Sequence, residues 1–236
     1  MQLFFNPDLS KETEQIIFSK EESRHIIKVL RKKENDILNI TNGKGFLFKA
    51  QIQIASDKKC IANIIAADEK PKSWNYHLHI AIAPTKNIDR FQWFLEKATE
   101  IGIDEITPII CQNSERKTIK KERLEKIIQS AMKQSLKYHL PILNDSISFS
   151  DFTRKPFDGD TFIAHCKESQ KEKLKSIGQF KDKITILIGP EGDFSIPEIN
   201  ESKLKKMTPI TLSKHRLRTE TAGLIAVQNI SFLLQK

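Results

Sequence analysis

The sequence predicts an α/β protein in two parts: a small β-barrel over residues 1–70, then a domain over residues 73–236 built on a parallel sheet. Three observations predict this. The first part holds consecutive strand-like runs, two of them joined through Asn42-Gly43, a strong hairpin signal. Asp68-Glu69-Lys70-Pro71-Lys72 is a charged, proline-bearing linker of the kind that separates domains. Beyond it, short apolar runs alternate with stretches of helical spacing, the pattern of βαβ units.

Ser19 and Glu22 form a capping-box pattern that opens a helix over 20–30, with Ile26, Val29 and Leu30 at helical spacing and Arg31-Lys32-Lys33 closing it. Strands are expected at 37–40, 46–54 and 60–66. Phe46, Phe48, Ala50, Ile52 and Ile54 alternate onto one face, which reads as a small barrel. After the linker, 77–83 is a buried-type strand. Residues 89–101 form a helix with Phe91, Phe94, Leu95, Ala98 and Ile101 inward and Gly102 as its cap. A strand at 105–110 follows, then a long helix marked by Leu124, Ile127, Ile128, Ala131 and Ser135 on one face. Residues 145–159 read as a connection with little regular structure. Strands at 161–166, 184–188 and 210–212 complete the sheet, and from Thr219 onward a helix apolar on nearly every side is expected to be buried.

A formal charge of +9 suits a polyanionic partner, although a basic balance by itself is weak evidence. Cys60, Cys111 and Cys166 are widely spaced and odd in number, so reduced thiols in a reducing compartment are expected. Neither a leader pattern at the N-terminus nor an apolar run of the roughly 18 residues a membrane span needs is present, which points to a cytoplasmic protein without membrane association. The histidines and cysteines lack ligand spacing, so no metal is expected.

Two stretches near the C-terminus carry the chemistry. The apolar run 184–188 breaks into Gly189-Pro190-Glu191-Gly192. It then reaches Ser195, with Pro197 and Glu198 in the first turn of a helix. A strand, a glycine turn and a helix start leave backbone N–H groups beside a positive dipole end, where ligands bind. The second stretch places Arg216, Arg218, Thr219, Glu220 and Thr221 at the mouth of the apolar helix, and groups so placed need partners. For Thr219 and Glu220 the plain reading is a cap and a favourable charge on the helix dipole. His165, at the end of its strand, reads as a packed core histidine, with the rim of a ligand pocket as the alternative. Arg116, Lys117, Lys120, Lys121, Arg123, Lys126, Lys133 and Lys137 form a basic run that is either a solvated face or a patch for RNA.

Gly189-Pro190-Glu191-Gly192-Asp193-Phe194-Ser195 with Glu198, followed by Leu212 and Leu217-Arg218-Thr219-Glu220-Thr221-Ala222, resembles the 16S ribosomal RNA (uracil-N3) methyltransferases of the SPOUT superfamily. Asp193 stands where that family usually has Gly. Glu96-Lys-Ala-Thr-Glu-Ile-Gly102 is similar to a further family segment, and His25-Ile-Ile-Lys-Val-Leu-Arg31 resembles a signature of its PUA-like RNA-binding domain. The resemblance implies an N-terminal PUA-like barrel and a C-terminal SPOUT domain with a trefoil knot that grips S-adenosylmethionine. It implies a homodimer acting on 16S ribosomal RNA of the small ribosomal subunit. Cofactor contacts are expected from Leu187, Ile188, Gly189, Pro190, Glu191 and Gly192, and from Leu212, Ser213, Leu217, Thr219, Thr221 and Ala222. Arg218 is the candidate catalytic group, stabilising a uracil anion or orienting the RNA, with Glu220 its ion-pair partner or the proton acceptor. Arg24, His25, Lys28, Arg31 and Lys32 are candidate RNA phosphate contacts. The rivals are a SPOUT enzyme acting on another nucleotide and a noncatalytic RNA-binding assembly factor. A nucleotide hydrolase ranks last, because the 189–195 loop lacks the Gly-Lys-Ser/Thr ending of a phosphate loop.

Overall fold

The computed structural model describes residues 2–234 and divides the chain into two compact units. The first comprises residues 1–73 together with Met132–Leu140, and the second comprises Trp74–Ala131 and Pro141–Lys236.

In the first unit the elements are β1 (Leu3–Phe5), β2 (Gln15–Ile17), α1 (Lys20–Arg24), β3 (Ile37–Thr41), β4 (Phe46–Ile54) and β5 (Ile61–Glu69). The expected barrel is a five-stranded curled sheet of order β1-β3-β4-β5-β2, with β1 parallel to β3 and the other pairs antiparallel. Phe48, Ala50 and Ile52 alternate into its core against Phe4, Ile26 and Leu38. Ile54 does not follow them. It is 49% exposed, because the β4–β5 register shifts beside it and breaks the alternation. Ser19 caps α1 as expected, its Oγ accepting from the Glu22 amide. The expected single helix over 20–30 instead changes to a π-turn at His25–Val29, which leaves Val29 exposed. Met132–Leu140 straps the β3–β4 hairpin: Gly45 N–H donates to the Tyr138 carbonyl at 2.8 Å and Leu140 N–H to the Gly43 carbonyl at 2.8 Å. Gly45 takes φ +91°, and a Cβ there would meet the His139 ring at 2.6 Å, so only glycine fits.

The second unit contains β6 (His77–Ile82), α2 (Ile88–Ile101), β7 (Glu105–Ile110), α3 (Lys121–Gln134, whose last turn lies in the first unit), β8 (Ile142–Leu143), β9 (Ile147–Ser148), α4 (Phe149–Arg154) and β10 (Asp160–Ala164). It continues with β11 (Glu172–Lys173), β12 (Lys183–Ile188), α5 (Ile196–Leu204), β13 (Thr208–Thr211) and α6 (Thr219–Leu234). Its sheet runs β11-β13-β10-β12-β6-β7-β8, with β9 also on β7, and every pair is parallel. Five consecutive buried residues, Ile184 to Ile188, make β12 a central strand covered on both faces. Each large apolar side chain in it stabilises by about 1.5–3 kcal/mol.

Residues 145–159 are more regular than expected. Ser148 caps α4, which buries Phe149 and Phe152, a turn too short for helical periodicity to register. The all-round apolar α6 is also buried on one side only: Gly223, Ala226, Val227 and Ile230 face inward, while Phe232 is 73% exposed. Gly223 permits this packing, because a Cβ there would lie 2.8 Å from both Ile82 and Phe94. On β6 and β7, His77 bonds Glu105 at 3.0 Å, His79 bonds Thr107 at 2.7 Å, and the Asn144 amide donates to Glu105 and Thr107.

Candidate active site

The loops that follow β6, β10, β12 and β13 meet at the C-terminal edge of the parallel sheet, where open α/β sheets bind ligands. The turn after β12 is held from several sides. Asp193 N–H donates to the Pro190 carbonyl at 2.9 Å. The Asn113 amide donates to the carbonyls of Gly192 and Asp193 at 3.2 and 3.0 Å. Phe194 is fully buried against Gly189, where a Cβ would meet its ring at 3.0 Å. Ser195 and Glu198 complete the expected capping box at the start of α5, and Glu198 also accepts from the Gln112 backbone N–H at 2.8 Å.

Asp193 takes φ +65°, the left-handed conformation that Asp tolerates better than most residues. Its carboxylate accepts from Cys166 N–H at 2.9 Å and from its neighbour Phe194 N–H at 2.9 Å, so it ties the β12 turn to the end of β10. Three further bonds draw the other loops in. Lys86 N–H donates to the Glu191 carboxylate at 2.9 Å, Arg216 to the Glu191 carbonyl at 3.2 Å, and the Thr219 hydroxyl to the Gly189 carbonyl at 3.1 Å.

Two contiguous cavities open between these loops, sharing Ala164, Cys166, Arg216, Leu217 and Ala222 in their walls. The larger, about 550 Å³, adds His165, Leu212 and Ser213. The smaller, about 360 Å³, adds Arg90, Gly189, Glu191 and Arg218. His165 is 7% exposed, and neither ring nitrogen makes a hydrogen bond of ordinary geometry. Burial and the Lys171 ammonium push its imidazole below the ordinary range. A buried neutral imidazole whose ring makes no well-formed hydrogen bond, beside apolar Leu212 and Leu217, fits a ligand that is part apolar and part hydrogen-bonding, as a nucleoside is.

Most of the expected cofactor residues lie here. Ile188, Gly189, Pro190, Glu191 and Thr219 line the smaller cavity, Leu212 and Ser213 the larger, and Leu217 and Ala222 both. Three do not. Leu187 points into the core under the sheet. Gly192 sits against the Asn113 side chain, and Thr221 lines neither cavity. Arg218 borders the smaller cavity as expected. Glu220 does not pair with it: Glu220 is 7% exposed, and its Oε1 faces Nε of Arg90 at 3.8 Å. Arg90 and Asn113 are not singled out by the sequence, and Cys166 is read there only as a reduced thiol; their signal as site residues is spatial, since each comes from a different part of the chain. The expected RNA residues of the first unit fall in two places. Arg24 and His25 share a hollow with Gln2 and Lys133, Arg31 and Lys32 border another, and Lys28 pairs with Asp57 at 3.6 Å. Arg116 of the basic run is committed elsewhere, donating to the carbonyls of Thr85 and Lys86.

The family whose model describes an RNA methyltransferase domain matches residues 72–231, the whole of this sheet and its loops. The chain belongs to that RNA methyltransferase family. A companion family, described as an RNA methyltransferase PUA domain, matches residues 18–65 in the first unit. Over 98% of its length the chain is 27% identical to a ribosomal RNA small subunit methyltransferase E from Rickettsia conorii, covering 95% of that relative. A crystal structure of a probable rRNA-methyltransferase from Porphyromonas gingivalis is 39% identical, with a TM-score of 0.92 over 99% of this chain and 98% of that one. A methyltransferase from Legionella pneumophila, solved with its bound cofactor SAM, is 25% identical, with a TM-score of 0.84 over 96% of this chain and 95% of that one. The RNA methyltransferase fold therefore covers both units. Among the described residues no cluster of three metal-ligating side chains occurs, and no helix is long and apolar enough to cross a membrane.

Proposed function

We propose that this chain transfers a methyl group from S-adenosylmethionine to N3 of a uracil in 16S ribosomal RNA. The observation that carries the reading is the meeting of the 189–193 turn and the 212–218 loop around one pair of cavities, with Arg218 in the wall. The cofactor, when bound, supplies an electrophilic methyl on a sulfonium sulfur. Leu212 and Leu217 would give its adenine an apolar wall, and Gly189, Pro190 and Glu191 of the turn after β12 line the adjoining cavity. Uracil N3 lies on the pairing edge, so the base reaches this site unpaired or extruded. Its N–H is a weak acid, and Arg218 offers a guanidinium where negative charge develops on the carbonyl oxygens flanking N3. Holding both reactants in line supplies much of the remaining acceleration.

The 1–70 part is the PUA-like RNA-binding domain in this reading, and Arg24, His25, Lys28, Arg31 and Lys32 position the RNA by its phosphates without reading its bases. The 73–236 part is the SPOUT methyltransferase domain with its knot. The chain works as a homodimer in the cytoplasm, and the exposed Phe232 on α6 is an apolar group that a second copy would cover. The test is incubation of the purified protein with methyl-labelled S-adenosylmethionine and small-subunit RNA, followed by mass spectrometry of the nucleosides. Labelled 3-methyluridine is expected. Label on another nucleoside or on ribose redirects the assignment, and no heat on titration with the cofactor leaves an RNA-binding factor.

A further inference from the structure

Glu220 lies in the first turn of α6, and Oε2 of its buried carboxylate makes no hydrogen bond. Burying such a group costs free energy unless a cation or donors compensate. The cation beside it is Arg90, which sits in the first turn of α2 and borders the same cavity as Arg218. Because Glu220 faces Nε, the Nη atoms of Arg90 remain as donors for another partner. Arg218 aside, each of the other charged groups of that cavity has at least one partner. Arg216 donates to the Glu191 carbonyl, the Glu191 carboxylate accepts from Lys86 N–H, and Asp193 accepts from Cys166 and Phe194.

A uracil that has lost its N3 proton spreads the charge over O2 and O4, one on each side of N3. A single guanidinium serves one of these oxygens well and leaves the other to water. We infer that Arg90 is the second guanidinium of this centre: Arg90 and Arg218 each donate to one carbonyl oxygen flanking N3, and Glu220 is a positioning residue for Arg90, not the proton acceptor. The N3 proton passes to water, the freed electron pair forms the N–C bond to the methyl, and the pair of the broken C–S bond stays on sulfur. This inference rests on the proposed uracil methylation.

The experiment compares Arg90→Ala, Arg90→Lys and Glu220→Gln with the unaltered protein in single-turnover methylation across pH, with cofactor affinity by calorimetry and thermal unfolding as controls. Arg90→Ala is expected to lower the rate about 10²-fold, the cost typical of removing one donor to a developing oxyanion. Its pH profile moves to more alkaline pH, because the base is harder to ionise, and added guanidinium restores part of the rate. Arg90→Lys falls in between, keeping the charge and losing the fork. Glu220→Gln moves in the same direction with cofactor affinity intact. Rates within twofold of the unaltered protein for Arg90→Ala, or a loss with an unmoved pH profile and weakened cofactor binding, overturn the inference. If Arg90→Ala does not fold, Arg90→Lys decides by the same profile. An unaltered protein that makes no 3-methyluridine sinks the proposed function instead, a different result from an active protein indifferent to Arg90.

Discussion

Asp193 shows how one departure from a family pattern is absorbed. Where the resemblance leads one to expect Gly, an Asp accepts a left-handed backbone and uses its carboxylate to tie two loops together. Asp193→Asn should keep both the conformation and one acceptor, whereas Asp193→Ala loses the bonds and strains the backbone. The expected cost of the alanine is about 1–3 kcal/mol in denaturant unfolding, and equal stabilities of the two variants would contradict the tie. Gly192 acts through Asn113, since an added Cβ would sit 3.0 Å from the Asn113 Cβ. Gly192→Val is therefore expected to push the turn off its support and weaken S-adenosylmethionine binding at least about tenfold (~1.4 kcal/mol), read by calorimetry, with the fold retained by circular dichroism. The glycine turn was legible in the sequence because strand, turn and cap are contiguous. The pairing of Glu220 was not, because Arg90 sits on another helix and no local spacing encodes a contact between two distant first turns.

At the scale of the element, α6 is fitted to the sheet through Gly223. Gly223→Val places new atoms where Ile82 and Phe94 already pack, and overpacking of this kind costs about 1–3 kcal/mol, measured as a lowered unfolding midpoint. The β6–β7 pair carries a second, acid-sensitive feature. Burial, only partly opposed by Glu105, lowers His79 to about 4, and the bond from His77 is the largest of the effects that hold Glu105 at about 2. Both folded values lie below the unfolded ones, so the unfolded chain binds protons first as pH falls. The His79 contribution is complete above about pH 6.5 and is lost as pH drops through 4, and the Glu105 contribution follows from about 4.5 down to 2. Unfolding at pH 4.5 should show roughly 2–3 kcal/mol less stability than at pH 7, with much of the slope absent in His79→Gln. Strands and long helices were readable from apolar periodicity, which is why β7 and β12 fall where expected. The short α4 escaped because a single turn has no period to detect, and the outward side of α6 escaped because hydrophobicity does not say which neighbour covers it.

For the whole molecule, the proposed RNA binding by a chain of net charge +9 is expected to weaken steeply with salt. Arg24 and Arg31 border separate hollows of the first unit, so neutralising each is expected to reduce the salt slope by about one, and both by about two. An unchanged slope in filter binding would remove them from the interface. The two-part organisation was visible in the linker and in the change of pattern after it. What the linear order concealed is that Met132–Leu140 belongs to the first unit, where Tyr138 and Leu140 bond the backbone of the β3–β4 hairpin. A chain emerging from the ribosome must therefore release β6, α2, β7 and the whole of α3 before its leading unit can be fastened. Folding of that unit during synthesis is deferred past the linker, and a fragment cut at residue 73 would be born without its clasp.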